Sequence, residues 1–259
     1  MIEAHGQRYH VEQWANLTQL KVARHEIRGM PDHEFDRYAS PFEAKLTLRD
    51  KSARGFDAWS ELMGELESND WLEYVSGLFG VELVADRWRH YAGVFRYLPD
   101  DHLGVHVDAA IHPISGLRKH VTLVLYFGAG GGDLELWRGA SCGYGDYHNH
   151  ATDWKHSEER GQWEPQLNEV IDSIAPTLGR IVMFECNDYA WHGTARNDQD
   201  EDRLVMTVSY LSAGIDAFAN KRKRAFFVPR PSEEWAPETY ALRDLRADPE
   251  RYAEAYRHG

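Results

Sequence analysis

The sequence predicts a mainly β protein, a barrel or sandwich flanked by α-helices. Short segments rich in Val, Thr, Leu and aromatic residues recur from about residue 81 to residue 228. Turns containing Gly and Asp divide these segments, which is typical of neighbouring strands. Residues with helical spacing gather towards the N-terminal end, so helices and strands do not alternate along the chain. This order favours a barrel or sandwich over a βαβ fold.

The first 88 residues are expected to form a helical and mixed support region. Residues 1 to about 55 show no long period and predict short strands and loops, with one strand within Phe42–Leu48. Apolar residues then recur at helical spacing from Phe56 to Phe79, and Ser68-Asn69-Asp70 interrupts them as a stop and N-cap. Two amphipathic helices that back a sheet are therefore predicted.

Residues 89–228 are expected to form the strand core. Residues 138 to about 170 within it are polar, and they predict a long loop with a short helix over Leu167–Ile174. Loops of that length are often lids or binding loops. Residues 229–259 predict a helical tail, and we expect residues 1–259 to form one domain. The predicted core strands are Trp88–Tyr97, the segment around His106, His120–Phe127, Leu134–Trp137, Ile181–Glu185, Arg203–Leu211 and the edge strand Phe226–Val228.

Composition excludes several classes of protein. The net charge of -13 over 259 residues disfavours nucleic acid or an anionic membrane as a partner. The two cysteines have no paired spacing, which excludes a disulfide framework or a Cys-rich zinc site. No apolar run reaches membrane-spanning length, and the N-terminus lacks a signal-peptide core. We expect a soluble, cytoplasmic protein; its oligomeric state is left open.

The segment His106-Val107-Asp108 is the strongest candidate for chemistry. Side chains two residues apart on a strand point to the same face, so an imidazole and a carboxylate are presented together. A second histidine from another strand would complete a 2-His-1-carboxylate set. That set suits non-haem Fe(II), because three coordination positions stay open for co-substrate and oxygen.

From roughly Tyr91 to Leu211 the chain resembles the Fe(II)/2-oxoglutarate-dependent oxygenases, in particular the branch that includes the prolyl 4-hydroxylases. The resemblance lies in His106-Val107-Asp108, Gly131-Gly132-Asp133-Leu134-Glu135-Leu136, Trp191-His192-Gly193 and Asp202-Arg203-Leu204-Val205-Met206-Thr207. It implies a double-stranded β-helix, or jelly roll. It also implies that His106, Asp108 and His192 hold the iron, and that Arg203 binds the distal carboxylate of 2-oxoglutarate. In the related halogenases a small residue replaces the acid, so Asp108 implies hydroxylation, desaturation or ring closure.

Further residues are candidates for the same site, each with a structural alternative. Thr207 shares strand parity with Arg203 and is expected to offer a hydroxyl to the co-substrate, unless it only packs. Arg203 itself has the alternative of a surface salt bridge with the acidic turn Asp198–Asp202. Tyr97 and Tyr126 are candidates to hydrogen-bond the oxo acid, against a purely structural aromatic role. Candidate substrate contacts are Trp137, Asn187, Trp191 and His102.

Three functions are compatible with these residues. The first is a 2-oxoglutarate-dependent dioxygenase that oxidises a small metabolite and releases succinate and CO₂. The second performs the same chemistry on a protein or nucleic-acid substrate. The third is a jelly-roll ligand-binding protein without redox chemistry. Iron content and its loss in Asp108→Ala distinguish the third from the first two.

Overall fold

The computed structural model describes residues 1–51, 56–128, 130–142, 154–158, 162–214 and 224–247. Its helices are α1 (Leu17–Gly29), α2 (Asp57–Leu66), α3 (Asn69–Phe79) and α4 (Pro237–Ala247). The strands are β1 (Ile2–Ala4), β2 (Gln7–Gln13), β3 (Phe35–Ala39), β4 (Ala44–Leu48), β5 (Val84–Ala85), β6 (Gly93–Tyr97), β7 (Leu103–Val107), β8 (Arg118–Tyr126), β9 (Leu134–Gly139), β10 (Trp154–Ser157), β11 (Gln162–Pro165), β12 (Leu167–Ile174), β13 (Arg180–Glu185), β14 (Trp191–Thr194), β15 (Arg203–Ser212) and β16 (Phe226–Phe227).

Two antiparallel sheets form the jelly roll that the resemblance implies. The major sheet has the order β1-β2-β13-β8-β15-β6-β4-β3, with β5 also paired to β15. The minor sheet has the order β12-β9-β14-β7-β16. The chain crosses between the sheets repeatedly, as from β6 to β7, from β8 to β9 and from β14 to β15. The N-terminal strands therefore extend the major sheet at both of its edges.

Side-chain alternation along the strands separates the core into layers. On β15, Leu204, Met206 and Val208 pack with the helices on the outer face of the major sheet. Val205 instead packs between the sheets, because successive side chains on a strand point to opposite faces. A third cluster covers the outer face of the minor sheet. Among the described residues, only the layer between the sheets therefore receives side chains from both of them.

The two predicted amphipathic helices are confirmed as α2 and α3. Ser68 is the N-cap of α3, and its side chain accepts a hydrogen bond from the backbone of Trp71. Gly80 ends the helix in the left-handed conformation that a helix C-terminus favours (φ 69°). Both helices bury an apolar stripe against the outer face of the major sheet.

Four expectations about local structure are corrected. Residues 1 to 55 contain helix α1, capped by Asn16, in addition to strands. The strand expected to begin at Trp88 begins at Gly93. The described part of residues 138–170 contains the hairpin β10–β11, while 143–153 and 159–161 lie outside the described residues. The predicted helical tail is not among these corrections: it contains helix α4 (Pro237–Ala247), and 248–259 lie outside the described residues.

The fourth correction has a clear physical cause. Leu167–Ile174 forms strand β12 and not the expected short helix. Its apolar residues recur at intervals of three and four, which is a helical period. The strand pairs with β9 through two register shifts, and each shift changes the face to which the next residues point. An interrupted strand therefore has the apolar spacing of a helix.

Candidate metal centre and co-substrate site

His106 and His192 lie side by side on the inner face of the minor sheet. They are directly paired across β7 and β14, and their ring centroids are 4.3 Å apart. Each residue is only 5% exposed. The pairing of these two strands thus brings together two histidines that are 86 positions apart in the sequence.

Both imidazoles are oriented by their own backbone. His106 Nδ1 lies 2.9 Å from the carbonyl of Gly104, and His192 Nδ1 lies 2.9 Å from the carbonyl of Ala190. A carbonyl can only accept, so each Nδ1 carries a proton, and Nε2 is the nitrogen that offers an electron pair when the ring is neutral. Burial, with His106 close by, lowers the pKa of His192 to about 3. His192 is therefore neutral at ordinary pH, as a metal ligand must be.

Asp108 follows directly after β7 and supplies the carboxylate. Its Oδ1 lies 3.7 Å from His106 Nε2, and its Oδ2 accepts hydrogen bonds from Lys119 Nζ at 2.6 Å and Thr122 Oγ1 at 2.9 Å. Burial alone would raise the pKa of this carboxyl, but the Lys119 ammonium holds it well below its usual range. Asp108 is thus ionised.

The three side chains have the donor set and spacing of a facial metal site. Each offers one ligand atom, and these atoms all lie within 4.8 Å of one another. Two imidazole nitrogens and one carboxylate oxygen on one face suit non-haem Fe(II) and leave coordination positions for further ligands. Among the described residues no other cluster of this kind was found.

Aromatic rings enclose the two histidines. Phe227 of the edge strand β16 stacks on His106 with centroids 4.9 Å apart, and Phe184 of β13 lies 4.4 Å from the His192 ring. Both phenylalanines are buried. They restrict ring rotation of the histidines and keep water away from the donor nitrogens.

Arg203 lies at the start of β15 and is 1% exposed. Its Nη1 donates to the backbone carbonyls of Gly131 and Gly132, and its guanidinium lies 4.0 Å above the ring of Tyr97. Its Nε and Nη2 are buried without a hydrogen-bond partner in the described part of the chain. A buried charged donor without a partner is costly, so this pair of nitrogens fits the carboxylate of a bound acid.

The alternative role for Arg203, a surface salt bridge with the acidic turn, is wrong. Asp202 of that turn pairs with Arg96 at 2.5 Å. The glycine-rich turn instead packs tightly on the guanidinium: Gly132 has φ +83°, and a Cβ at this position would lie 2.5 Å from Arg203 Nη1. Only glycine combines that conformation with so close an approach.

The tyrosines predicted for the co-substrate site lie beside Arg203. Tyr97 and Tyr126 belong to the apolar layer between the sheets and are 3% and 2% exposed. Burial raises the pKa of Tyr126, so its hydroxyl keeps its proton and can act as a donor. Thr207 lies on the same strand as Arg203, but its hydroxyl donates to the carbonyl of Tyr91 at 3.1 Å.

Two of the four predicted substrate residues, Trp137 and Trp191, face away from the triad. Trp137 and Trp191 lie in the cluster on the outer face of the minor sheet, and the Trp191 indole donates to the Ala140 carbonyl. Asn187 uses its side chain to bond the Gly6 carbonyl and the Tyr189 backbone. The backbone carbonyl of His102 accepts a hydrogen bond from the backbone N–H of Ala44. His102 is not part of the cluster of ligand atoms formed by the triad.

Sequence reasoning missed the residues that surround Asp108. Lys119, Thr122 and Cys186 all contact its Oδ2, Cys186 through Sγ at 3.6 Å. Thr122 could have been found from strand parity with Tyr126, which also faces inward. Lys119 could not, because a register shift in β8 changes the face to which it points.

A His-Asp-His cluster inside a jelly roll, with a buried arginine on the facing sheet, has the donor set that suits non-haem Fe(II). The family model described as the 2OG-Fe(II) oxygenase superfamily matches residues 92–210 of the chain, the segment that contains the triad and Arg203. Enzymes of this superfamily use Fe(II), 2-oxoglutarate and O₂. Among the described residues, no helix is long and apolar enough to cross a membrane.

Solved structures of this superfamily share the fold at low sequence identity. A prolyl-4-hydroxylase of Pseudomonas putida is 13% identical with a TM-score of 0.52, covering 82% of this chain and 95% of its own. A prolyl hydroxylase of Trichoplax adhaerens, in complex with a hypoxia inducible factor peptide fragment, is 13% identical with a TM-score of 0.51, covering 79% and 83%. The epimerase SnoN from nogalamycin biosynthesis, in complex with Fe3+, alpha ketoglutarate and nogalamycin RO, is 13% identical with a TM-score of 0.51, covering 90% and 88%. A search of curated proteins found no match.

Proposed function

We propose that this oxygenase oxidises a small metabolite, with His106, Asp108 and His192 holding Fe(II) and Arg203 holding 2-oxoglutarate. The observation that carries the proposal is the combination of a cluster of metal-ligand atoms and a buried arginine. Three possible metal-ligand atoms lie within 4.8 Å of one another, and two donors of the buried Arg203 have no partner among the described residues. An iron ion fits the first feature, and the distal carboxylate of a 2-oxo diacid fits the second.

In this proposal, iron and 2-oxoglutarate, when bound, would supply an oxidation in which one O₂ converts the oxo acid to succinate and CO₂ and oxidises the substrate. The protein positions the reactants. Arg203 presents a planar pair of donors that a carboxylate accepts side by side, which fixes the direction in which the oxo acid enters. Tyr97 lies under the guanidinium, and its ring stabilises the buried cation.

The other residues keep the donor set in place. The backbone carbonyls of Gly104 and Ala190 hold the two histidines as neutral Nε2 donors. Phe184 and Phe227 exclude water from their rings. Asp108 is a carboxylate and not a small residue, so we propose hydroxylation, desaturation or ring closure and not halogenation.

A small substrate is favoured over a macromolecule by burial and charge. Both histidines of the triad are 5% exposed, so a substrate must enter an enclosed space. The net charge of -13 opposes binding to nucleic acid. A peptide substrate is the second candidate, because a prolyl hydroxylase with the same fold binds a peptide fragment. We also propose that the whole chain acts as one oxygenase domain.

Succinate formation from 2-oxoglutarate tests the metal assignment. We expect Fe(II)-dependent succinate release by the wild type and its loss in His106→Ala, Asp108→Ala and His192→Ala. The matched control is His33→Ala, because this histidine is exposed and distant in sequence from the triad. Retention of iron and of succinate formation in Asp108→Ala would contradict the ligand assignment.

The substrate class is tested by coupling. The true substrate stimulates succinate release and is itself oxidised, so panels of small metabolites and of proline-containing peptides are compared at equal concentration. Stimulation by small metabolites alone supports the proposal. Stimulation by peptides alone would show that the second candidate is correct.

A further inference from the structure

Strand β8 contains an irregularity that places a lysine beside the metal site. Tyr210 of β15 pairs with Val121, but the next residue, Leu211, pairs with Lys119, so His120 is an extra residue. This is a β-bulge, and a bulge changes the face to which the following side chains point. Bulges of this kind are common next to active sites.

The bulge transfers Lys119 from the outer face to the inner face of the major sheet. Val121 and Leu123 pack outward against the helices, and Lys119 has their parity. In a regular strand its side chain would therefore enter that apolar layer. Instead, its Nζ contacts Asp108 Oδ2, the same oxygen that Thr122 contacts from the inner face.

Lys119 is almost completely buried, with 4% of its surface exposed. Burying an ammonium is costly unless it is paired and hydrogen-bonded. Its Nζ lies 2.6 Å from Asp108 Oδ2 and 4.8 Å from the centroid of the Tyr91 ring. Both contacts stabilise the cation at one place, directly behind the carboxylate.

The two carboxylate oxygens of Asp108 have different neighbours. Oδ2 faces the ammonium of Lys119, the hydroxyl of Thr122 and the thiol of Cys186. Oδ1 faces the imidazole of His106. Donors on one oxygen fix the plane of the carboxylate and direct the other oxygen towards the two histidines.

We propose that Lys119 is a positioning residue that makes Asp108 bind the metal through Oδ1 alone. A carboxylate bound through one oxygen occupies one coordination position, which leaves three for the oxo acid and oxygen. A carboxylate free to rotate can bind through both oxygens and block one of these positions. Thr122 assists as a second, uncharged donor. The inference rests on the proposed function, since it concerns the same triad.

The test is a titration of the metal-free protein with Co(II), an air-stable ion whose visible absorption reports both affinity and coordination. Lys119→Met removes the donor and its charge, while Lys119→Arg keeps a charged donor. Lys21→Met, on the exposed side of α1, is the control for loss of a lysine charge. We expect Lys119→Met to weaken Co(II) binding by about 10-fold to 100-fold and to change the absorption spectrum. Lys119→Arg should recover part of the affinity, and Lys21→Met should equal the wild type.

A purely electrostatic role of Lys119 would change the Co(II) affinity in the opposite direction. An ammonium near a dication repels it, so if Lys119 acted only through its charge, Lys119→Met would bind Co(II) as tightly as the wild type or more tightly. That result overturns the proposal. If Lys119→Met does not fold, Thr122→Val decides: we expect a weakening of severalfold with the spectrum changed in the same direction, and unchanged affinity and spectrum overturn it. If the wild type binds no Co(II), the proposed function fails instead.

Discussion

Replacing Arg203 tests how the fold binds 2-oxoglutarate. Arg203→Met removes a buried guanidinium that has two donors, Nε and Nη2, without a partner in the described residues. Truncating one partner of a buried, hydrogen-bonded charge pair costs about 2–5 kcal/mol. The dissociation constant for 2-oxoglutarate should therefore rise by about 30-fold to a few thousand-fold, since each 1.4 kcal/mol is a factor of ten.

The stability of the ligand-free protein should respond in a different way. Arg203→Met gives up the bonds from Nη1 to two carbonyls, but it also removes two buried donors for which the described part of the chain provides no partner. These contributions oppose each other, so we expect a ligand-free Tm close to that of the wild type. The stabilisation that 2-oxoglutarate gives to the wild type should be almost absent from the variant.

Calorimetric titration and thermal unfolding with and without 2-oxoglutarate measure both effects. Arg96→Met is the matched control, because Arg96 lies on the neighbouring strand β6 and its charge is paired with Asp202. It should lower Tm by a small amount and leave the affinity for 2-oxoglutarate unchanged. An affinity of Arg203→Met within about twofold of the wild type would refute the role assigned to Arg203.

Two further predictions concern the histidine pair and the glycine-rich turn. His192 has a pKa of about 3 in the folded protein and 6.5 in the unfolded protein. Between pH 6.5 and pH 3 the unfolded state therefore binds a proton on this residue that the folded state does not bind. The metal-free wild type should lose stability as pH falls from 6.5 towards 4, and His192→Gln should lose less; equal slopes would contradict the burial of a neutral imidazole. Gly132→Ala places a Cβ 2.5 Å from Arg203 Nη1 on a residue with φ +83°. We expect it to lower the free energy of unfolding by about 1–3 kcal/mol and to weaken the binding of 2-oxoglutarate. Gly64→Ala, with nothing within 4 Å, is the control and should be neutral or stabilising; equal effects of the two would refute this account of the turn.

The site was easier to predict from the sequence than the local structure around it. His106 and Asp108 are two residues apart, and alternation on a strand places both on one side without any knowledge of the rest of the fold. The predictions for His192 and Arg203 rested on resemblance to a family, and the structure places His192 beside His106 and Asp108. The orientation of Arg203 depends on the Gly131 and Gly132 carbonyls, which no spacing in the sequence reveals.

Alternation of side chains along a strand also predicts the faces of two tryptophans. If His192 faces inward, its neighbour Trp191 must face outward, and the structure places Trp191 on the outer face of the minor sheet. Trp137 pairs with Trp191 and shares that face. The same rule fails where a strand is irregular. Register shifts in β12 imitate a helical period, and the bulge in β8 reverses the orientation of Lys119.

Helix α1 shows a different limit of sequence reasoning. Its buried residues are Leu20, Ala23 and Ile27, a stripe of only three, and most of its other positions are polar. Packing against α2 stabilises it, because so short a helix is marginal alone. Such tertiary stabilisation is not visible in a local pattern.

The most direct test of the central claim is the absorption spectrum of the protein with Fe(II) and 2-oxoglutarate in the absence of oxygen. If His106, Asp108 and His192 hold iron next to an oxo acid bound by Arg203, the wild type develops a visible charge-transfer band that Asp108→Ala and His192→Ala lack. Arg203→Met should reach the same band only at much higher 2-oxoglutarate concentration. A wild-type protein that binds Fe(II) but shows no band at saturating 2-oxoglutarate would contradict the account.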